Sequence, residues 1–432
     1  ISFIDQLPNE LLTLIFFFGS RLPHLQVRLK YPDSAVPPIR SPTFIETAIK
    51  TCRRWRLLIE CTPSLWTNIL ITRSRGWSGR YYRLHPIDDQ VSISSLTSAL
   101  QRSSNLLLDT TVDFTYVLNK TIIQELVSES RRWRSLSILV RSSQDLPAAL
   151  SHFKNLHTPE LQTLEITAHI PRDGEYSYSS PPSFIESAPR LSTVRLNRVG
   201  LRWGASTLLN LTTLELRFVV FPSYSELQAL FMNCPRLHTL KLHLDDSFTR
   251  SNENHIPDTM ALPLIKIRCL RTLELRFFFH SSSVIPNMTK PLRIFSTPVL
   301  EELILKDCGI TEWCQSLMYF RYHARAYPKL VRLILDGVKK LIYVDSSVVK
   351  AFPHLTSLHL KGLYASAFCR LLCNRRIQDL GWAGQTSFSI EVWPSLEELI
   401  IEKDQERKVE VIAKMTRARR QMGWPLRVIQ LD

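Results

Sequence analysis

Five stretches decide the architecture: LHTLKL at 237–242, LRTLEL at 270–275, LEELIL at 300–305, LVRLIL at 330–335 and LTSLHL at 355–360. In each, an apolar residue is followed three positions later by a second and two positions after that by a third. The same spacing appears upstream in Trp133-Leu136-Ile138, Leu161-Leu164-Ile166, Leu191-Val194-Leu196 and Leu211-Leu214-Leu216. It appears downstream in Ile377-Leu380-Trp382, Leu396-Leu399-Ile401 and Leu426-Ile429-Leu431. Successive starts lie between 19 and 33 residues apart. The two-residue step that closes each triplet is the period of a strand with one buried face. A single unit of this size cannot bury its own apolar side, but stacked units share one continuous core.

The L-x-x-L-x-L spacing resembles the leucine-rich repeat, and its irregular period suits the variant with a helix on the return side. The implied fold class is α/β: a curved solenoid over residues 105–432, with parallel strands on the concave face and one strand centred on each triplet. Walls of this kind bind proteins more often than they carry out chemistry.

Composition agrees with a large globular core. The chain has 432 residues, 44% hydrophobic and 22% charged, and a solenoid escapes the size limit of a single core. The run Leu11 to Phe18 is too short to span a bilayer and is preceded by Asp5 and Glu10, so neither a membrane span nor a secretory leader is expected from it. The chain starts at Ile1, which leaves an upstream segment open. Eight cysteines are scattered without a C-x-x-C pair. Cys369 and Cys373, one helical turn apart, read as thiols and not as a zinc site, and the expected compartment is cytoplasmic, nuclear or both. The net charge of +15 favours an anionic partner: an acidic protein, a phosphorylated segment or nucleic acid.

The first seventy residues read differently. Pro8 and Glu10 suit a helix start, Gly19 suits the position just past a helix end, and Leu11, Leu14, Ile15 and Phe18 form one stripe between them. Thr43-Phe44-Ile45-Glu46 has the form of a capping box before a second helix. Then come Cys52-Arg53-Arg54-Trp55 and Pro63-Ser64-Leu65-Trp66.

Taken in order, Leu7-Pro8-Asn9-Glu10-Leu11-Leu12 with Ile15-Phe16, Cys52-Arg53-Arg54-Trp55 and Pro63-Ser64-Leu65-Trp66 resemble the three submotifs of the F-box. The resemblance implies a small all-α F-box domain over residues 1–70, with a proline-rich inserted loop at about 21–42. It implies docking on a Skp-type adaptor and, through it, on a cullin–RING ubiquitin ligase. Carried over position by position, Leu7, Pro8, Leu11, Ile15, Cys52, Trp55, Leu65 and Trp66 supply the contact or its supporting core. Residues 71–104 read as a connecting loop and helix. Residues 96–114, LTSALQRSSNLLLDTTVDF, resemble the helix and first strand that follow the F-box in fungal members.

Within each repeat the third, fifth and seventh residues point away from the core. The seventh row places Arg217, His243, Arg276 and Lys306 on consecutive units. Such a ladder either serves an anionic ligand, making these four the candidate target-binding residues for an acidic or phosphorylated partner, or is neutralised by Glu215 and Glu274 of the fifth row. Farther along, Ile304, Ile334 and Ile400 turn the fifth row apolar. Phe218, Phe221 and Phe277-Phe278-Phe279 are expected to turn inward. Segments 173–182 and 247–257 read as inserted loops, and 405–422 reads as a helix with Val409, Ile412 and Met415 on one stripe.

No phosphate-cradling, dinucleotide, zinc-protease or nucleophile-elbow motif occurs. No catalytic residue, metal or cofactor is expected. The function the sequence points to is the non-catalytic substrate-recognition subunit of a Skp–cullin–F-box ligase. The alternatives are an F-box scaffold without a degradation target and, less favoured, a basic nucleic-acid-binding solenoid.

Overall fold

In the computed structural model the chain folds as two compact units, Ile1–Ser206 and Thr207–Asp432. The structure describes residues 3–30, 44–71, 93–115, 120–154, 156–168, 178–179, 185, 188–201, 208–217, 224–245, 263–278, 290–323, 327–337, 344–361, 365–379, 388–402 and 409–431. Leu380, Trp382, the loop segments expected at 31–42 and 247–257, most of 173–182, and Phe218, Phe221 and Phe279 lie outside them.

The first unit opens with three helices, α1 (Asn9–Lys30), α2 (Phe44–Ile49) and α3 (Arg53–Glu60), followed by a 3-10 turn at Pro63–Trp66. Strand β1 (Asn68–Ile71) comes next, then α4 (Ile93–Arg102), β2 (Leu108–Asp113), α5 (Lys120–Ser128), β3 (Trp133–Val140), α6 (Leu146–Ser151) and β4 (Thr163–Ala168). A two-residue strand β5 (Tyr178–Ser179) pairs with β7 (Gly200–Leu201) on either side of β6 (Thr193–Asn197). Strands β1, β2, β3, β4 and β6 pair in that order, all parallel.

The second unit repeats one plan. Strands β8 (Thr213–Arg217), β9 (Thr239–Asp245), β11 (Thr272–Phe278), β13 (Glu302–Lys306), β14 (Arg332–Asp336), β15 (Ser357–Lys361), β18 (Glu398–Glu402) and β19 (Val428–Leu431) form a parallel ladder in that order. Between them lie α7 (Tyr224–Met232), α8 (Lys290–Ile294), α9 (Ile310–Tyr322), α10 (Ser346–Ala351), α11 (Ala365–Leu372) and α12 (Val409–Gln421). Two-residue strands β10 (Ile265–Lys266) and β12 (Phe295–Ser296) pair on the return side. This is the parallel-stranded repeat fold that the leucine spacing predicts.

The triplet residues make the core. The central residues Leu136, Leu164, Val194, Leu214, Leu240, Leu273, Leu303, Leu333, Leu358 and Leu399 are all buried. Phe277 also turns inward. Main-chain atoms set the repeat frame. The carbonyl of the second residue in one repeat accepts both amides that open the strand of the next: His238 from Arg271 and Thr272, Arg271 from Glu301 and Glu302, Glu301 from Val331 and Arg332, Val331 from Thr356 and Ser357.

Four features depart from the sequence expectations. Helix α1 does not end at Gly19. A Cβ there would lie 2.6 Å from the Phe44 ring, so the glycine makes room for Phe44 instead of terminating the helix. Residues 21–30, read as the start of an inserted loop, continue α1, in keeping with the helix-forming run Leu25-Gln26-Val27-Arg28-Leu29-Lys30. The parallel ladder begins at β1, ahead of residue 105, because Asn68–Ile71 pairs with Asp109–Val112 although it lacks the triplet. Ile377 does not join the ladder: Arg376–Asp379 (β16) pairs antiparallel with Phe388–Glu391 (β17), and β15 pairs directly with β18.

Candidate functional site

In the first unit, α1, α2, α3 and the 3-10 turn enclose a small core of Leu12, Phe16, Ile45, Ala48, Ile59 and Leu65. The Phe16 ring meets Trp55 edge-on, with centroids 5.0 Å apart. Trp66 packs on the same core and donates its indole N–H to the Ile59 carbonyl at 2.8 Å. The guanidinium of Arg102 lies 4.6 Å above the Trp66 ring and 3.2 Å from Glu60.

The submotif residues take distinct jobs. Cys52 is exposed and caps α3, its sulfur accepting from the Trp55 amide at 3.5 Å. Arg54 donates to the Leu7 carbonyl at 2.5 Å and to Asn9 Oδ1 at 2.9 Å, tying α3 to the start of α1. Trp55, Leu65 and Trp66 support the core, and Leu7 is half-buried against it. The sequence reading did not foresee the Arg54 clamp, although the residue stands inside the quoted submotif.

The apolar stripe of α1 points outward. Leu12 and Phe16 fill the core, whereas Leu11, Leu14, Ile15 and Phe18 are 46%, 50%, 43% and 62% exposed. Together with Leu7, Gly19 and Phe44 they line an open apolar depression of ≈ 450 Å³, and Pro8 is exposed nearby in sequence. Four large apolar side chains thus stand exposed on one helix face.

In the second unit, the strand register sets Arg217, His243, Arg276 and Lys306 side by side, as read from the sequence. Their neighbours include carboxylates. Arg217 Nε lies 2.5 Å from Glu215 Oε1, and Lys306 Nζ lies 2.9 Å from Glu274 Oε1. Lys241 reaches Glu274 at 3.6 Å, and the buried His243 sits 3.6 Å from Glu274 and 3.9 Å from Glu215. Burial alone would raise the Glu274 pKa, but the His243 ring close by, the hydrogen bond from Lys306 and the charges of Lys306 and Lys241 outweigh it and hold the carboxyl at about 2. Glu215 is likewise held below its ordinary value, mainly by Arg217 working against burial. Burial lowers the His243 pKa despite both carboxylates.

Arg276 pairs with Asp307, Nε to Oδ2 at 2.6 Å. Asp307 follows β13 in a left-handed conformation, φ 52°. Strand alternation does not predict where such a residue points, so this partner was not legible from the spacing. The ladder is therefore charge-paired along its length, and the candidate target-binding residues form a network with Glu215, Glu274 and Asp307.

The fifth row continues as Ile304, Ile334, His359 and Ile400 on β13, β14, β15 and β18, all half-buried. His359 Nε2 lies 2.8 Å from Glu402, and Lys361 lies 2.9 Å from the same carboxylate.

Among the described residues no group of three or more His, Cys, Asp and Glu side chains is placed to hold a metal, and no helix is long and apolar enough to cross a membrane. Cys234, Cys308 and Cys369 are buried thiols, and burial pushes the Cys234 pKa up to about 12.

No family model matches the chain, and no curated protein matches it. Among solved structures, an internalin from Listeria monocytogenes is similar at 15% identity, covering 67% of this chain and 89% of that one, with a TM-score of 0.20. The fold assignment rests on the strand register of the chain itself.

Proposed function

We propose that this chain is a non-catalytic substrate receptor of a Skp–cullin–F-box ubiquitin ligase. Its first helices dock on a Skp-type adaptor, and its repeat sheet holds a target protein. The observation that carries the reading is the exposed stripe Leu11, Leu14, Ile15 and Phe18, on the segment whose three ordered submotifs resemble the F-box. A helical cap for the repeats would account for the buried Leu12 and Phe16. It gives no reason to leave four apolar side chains of α1 in water.

The mechanism is proximity. A tethered target meets the charged conjugating enzyme at raised effective concentration, while the chemistry belongs to other subunits. The repeat fold supports a protein-interaction role in general; the ligase assignment rests on the helical segment.

The test uses exposed residues, so that folding is spared. A Leu11→Glu/Ile15→Glu variant is expected to lose the co-purifying adaptor, since truncating a central anchor costs about 2 kcal/mol or more, roughly thirtyfold in affinity. Its far-UV circular dichroism should match the parent. Undiminished adaptor recovery overturns the docking assignment.

A further inference from the structure

The outer face of the second unit changes character along the ladder. From β8 to β11 it is a paired ionic network. From β13 to β18 its middle row is apolar, with Ile304, Ile334 and Ile400 in register and His359 between the last two. One charge beside this row stands apart. Asp336, on the seventh row of β14, is flanked by Lys306 and Lys361 in the strand register. Lys306 turns to Glu274 and Lys361 turns to Glu402. Among the described residues, the Asp336 carboxylate makes no hydrogen bond or ion pair. The face thus offers an apolar strip with, at its edge, a carboxylate that has no direct hydrogen-bond or ion-pair partner among the described residues.

Spacing selects the kind of chain that fits. Adjacent strands lie about 4.8 Å apart, so the strip from Ile304 to Ile400 runs about 14 Å across four strands. An α-helix repeats one face every turn, about 5.4 Å, and covers about 14 Å in nine or ten residues. An extended segment repeats one face only every two residues, about 6.6 Å, and loses step with the row. We infer that the outer face of β13, β14, β15 and β18 binds an amphipathic helix laid across the strands, its apolar stripe on Ile304, Ile334 and Ile400 and a lysine or arginine against Asp336. As the place where a target is held, the site rests on the receptor reading above. As a binding surface, it stands on this geometry.

The probe is a display library of 18-residue peptides, selected on the full-length chain and counter-selected on its Ile334→Glu variant. Winning sequences are expected to carry apolar residues at three- and four-residue intervals with a basic residue beside them. In fluorescence anisotropy a winner should bind Ile334→Glu and Asp336→Lys at least tenfold more weakly than wild type. Exchanging its basic residue for glutamate should restore binding to Asp336→Lys. Ile334 and Asp336 both face outward, and circular dichroism checks that the variants fold, with Asp336→Asn as the milder substitution. No enrichment over the counter-selecting variant, winners with alternating instead of helical spacing, or winners flanked by acids would each overturn the inference. Adaptor recovery from the same preparations separates the two readings: loss of adaptor binding by wild type condemns the receptor assignment alone, whereas failed selection with adaptor retained condemns the strip.

Discussion

Glu274→Gln tests the ionic network with the least change in shape. The carboxylate sits 2.9 Å from Lys306, 3.6 Å from Lys241 and 3.6 Å from His243. Its pKa falls from 4.5 to about 2. At ~1.4 kcal/mol per pH unit, that displacement corresponds to about 3 kcal/mol of stability. The partly solvated Lys241 adds the smaller share. A carboxyl with a depressed folded pKa contributes fully above its unfolded value and loses the contribution as pH falls through the folded one. The window for Glu274 is therefore from 4.5 down to about 2. His243 acts earlier: its pKa is lowered by burial, so the unfolded chain takes up this proton first and stability begins to decline as pH drops below about 6.5. The readout must be local, because the chain has two units. Amide exchange over Thr239–Asp245 and Thr272–Phe278 as a function of pH provides it. The variant should exchange faster at pH 7 by up to about 3 kcal/mol in opening free energy, and the gap from wild type should close between pH 4.5 and 2. Equal protection at pH 7, or a gap that stays constant down to pH 2, refutes the network as described.

Other substitutions probe the repeat frame. Leu214→Asp or Leu303→Asp buries an unpaired charge at a fully buried position and should cost more than about 4 kcal/mol, read as loss of the cooperative thermal transition; an unaltered midpoint means that the register is wrong. Arg419 is fully buried and donates to the carbonyls of Val392, Trp393 and Leu396 at 3.0, 3.0 and 3.2 Å. Arg419→Met should expose the 388–402 segment to proteolysis at a cost of about 3 kcal/mol, and equal resistance to protease argues against that role. Gly337 has φ 67°, and a Cβ there would lie 2.8 Å from Asp307 Oδ1. Gly337→Ala should cost about 1–2 kcal/mol, and a neutral result by chemical denaturation would show that the turn can relax.

Much of the repeat architecture was legible because it depends on spacing alone. Leu270, Leu273 and Leu275 announce β11 whatever surrounds them, and the same holds for the triplets at 300, 330 and 355. Ile377 carried part of the signal, yet its strand pairs locally with Phe388–Glu391, and spacing cannot tell a ladder strand from a hairpin strand of similar pattern. Strand β1 was missed for the opposite reason, since Ile69 and Ile71 are buried without a triplet around them. On α1 the apolar residues occupy more than one face, so periodicity could not say which face is core. Phe44 and Trp55, packed on Phe16, decide that Leu12 and Phe16 go in and Leu11, Leu14, Ile15 and Phe18 stay out. The rows of the outer face were readable from alternation, but the ion pairing was not. Asp307 reaches Arg276 only because its backbone leaves strand geometry.

The carbonyls that clasp successive repeats belong to His238, Arg271, Glu301 and Val331, whose side chains share no chemistry. The joint is thus indifferent to the side chain of the residue that makes it, proline excepted, since the amides of Arg271, Glu301 and Val331 also donate. Substitution at these sites can proceed freely while the frame persists, and drift in sequence outruns drift in shape. Changes in length are absorbed elsewhere, in the return segments, which is where the spread from 19 to 33 residues between starts accumulates. A chain built this way can keep its scaffold long after its letters have ceased to resemble any relative, provided that the interval between leucines within each strand survives.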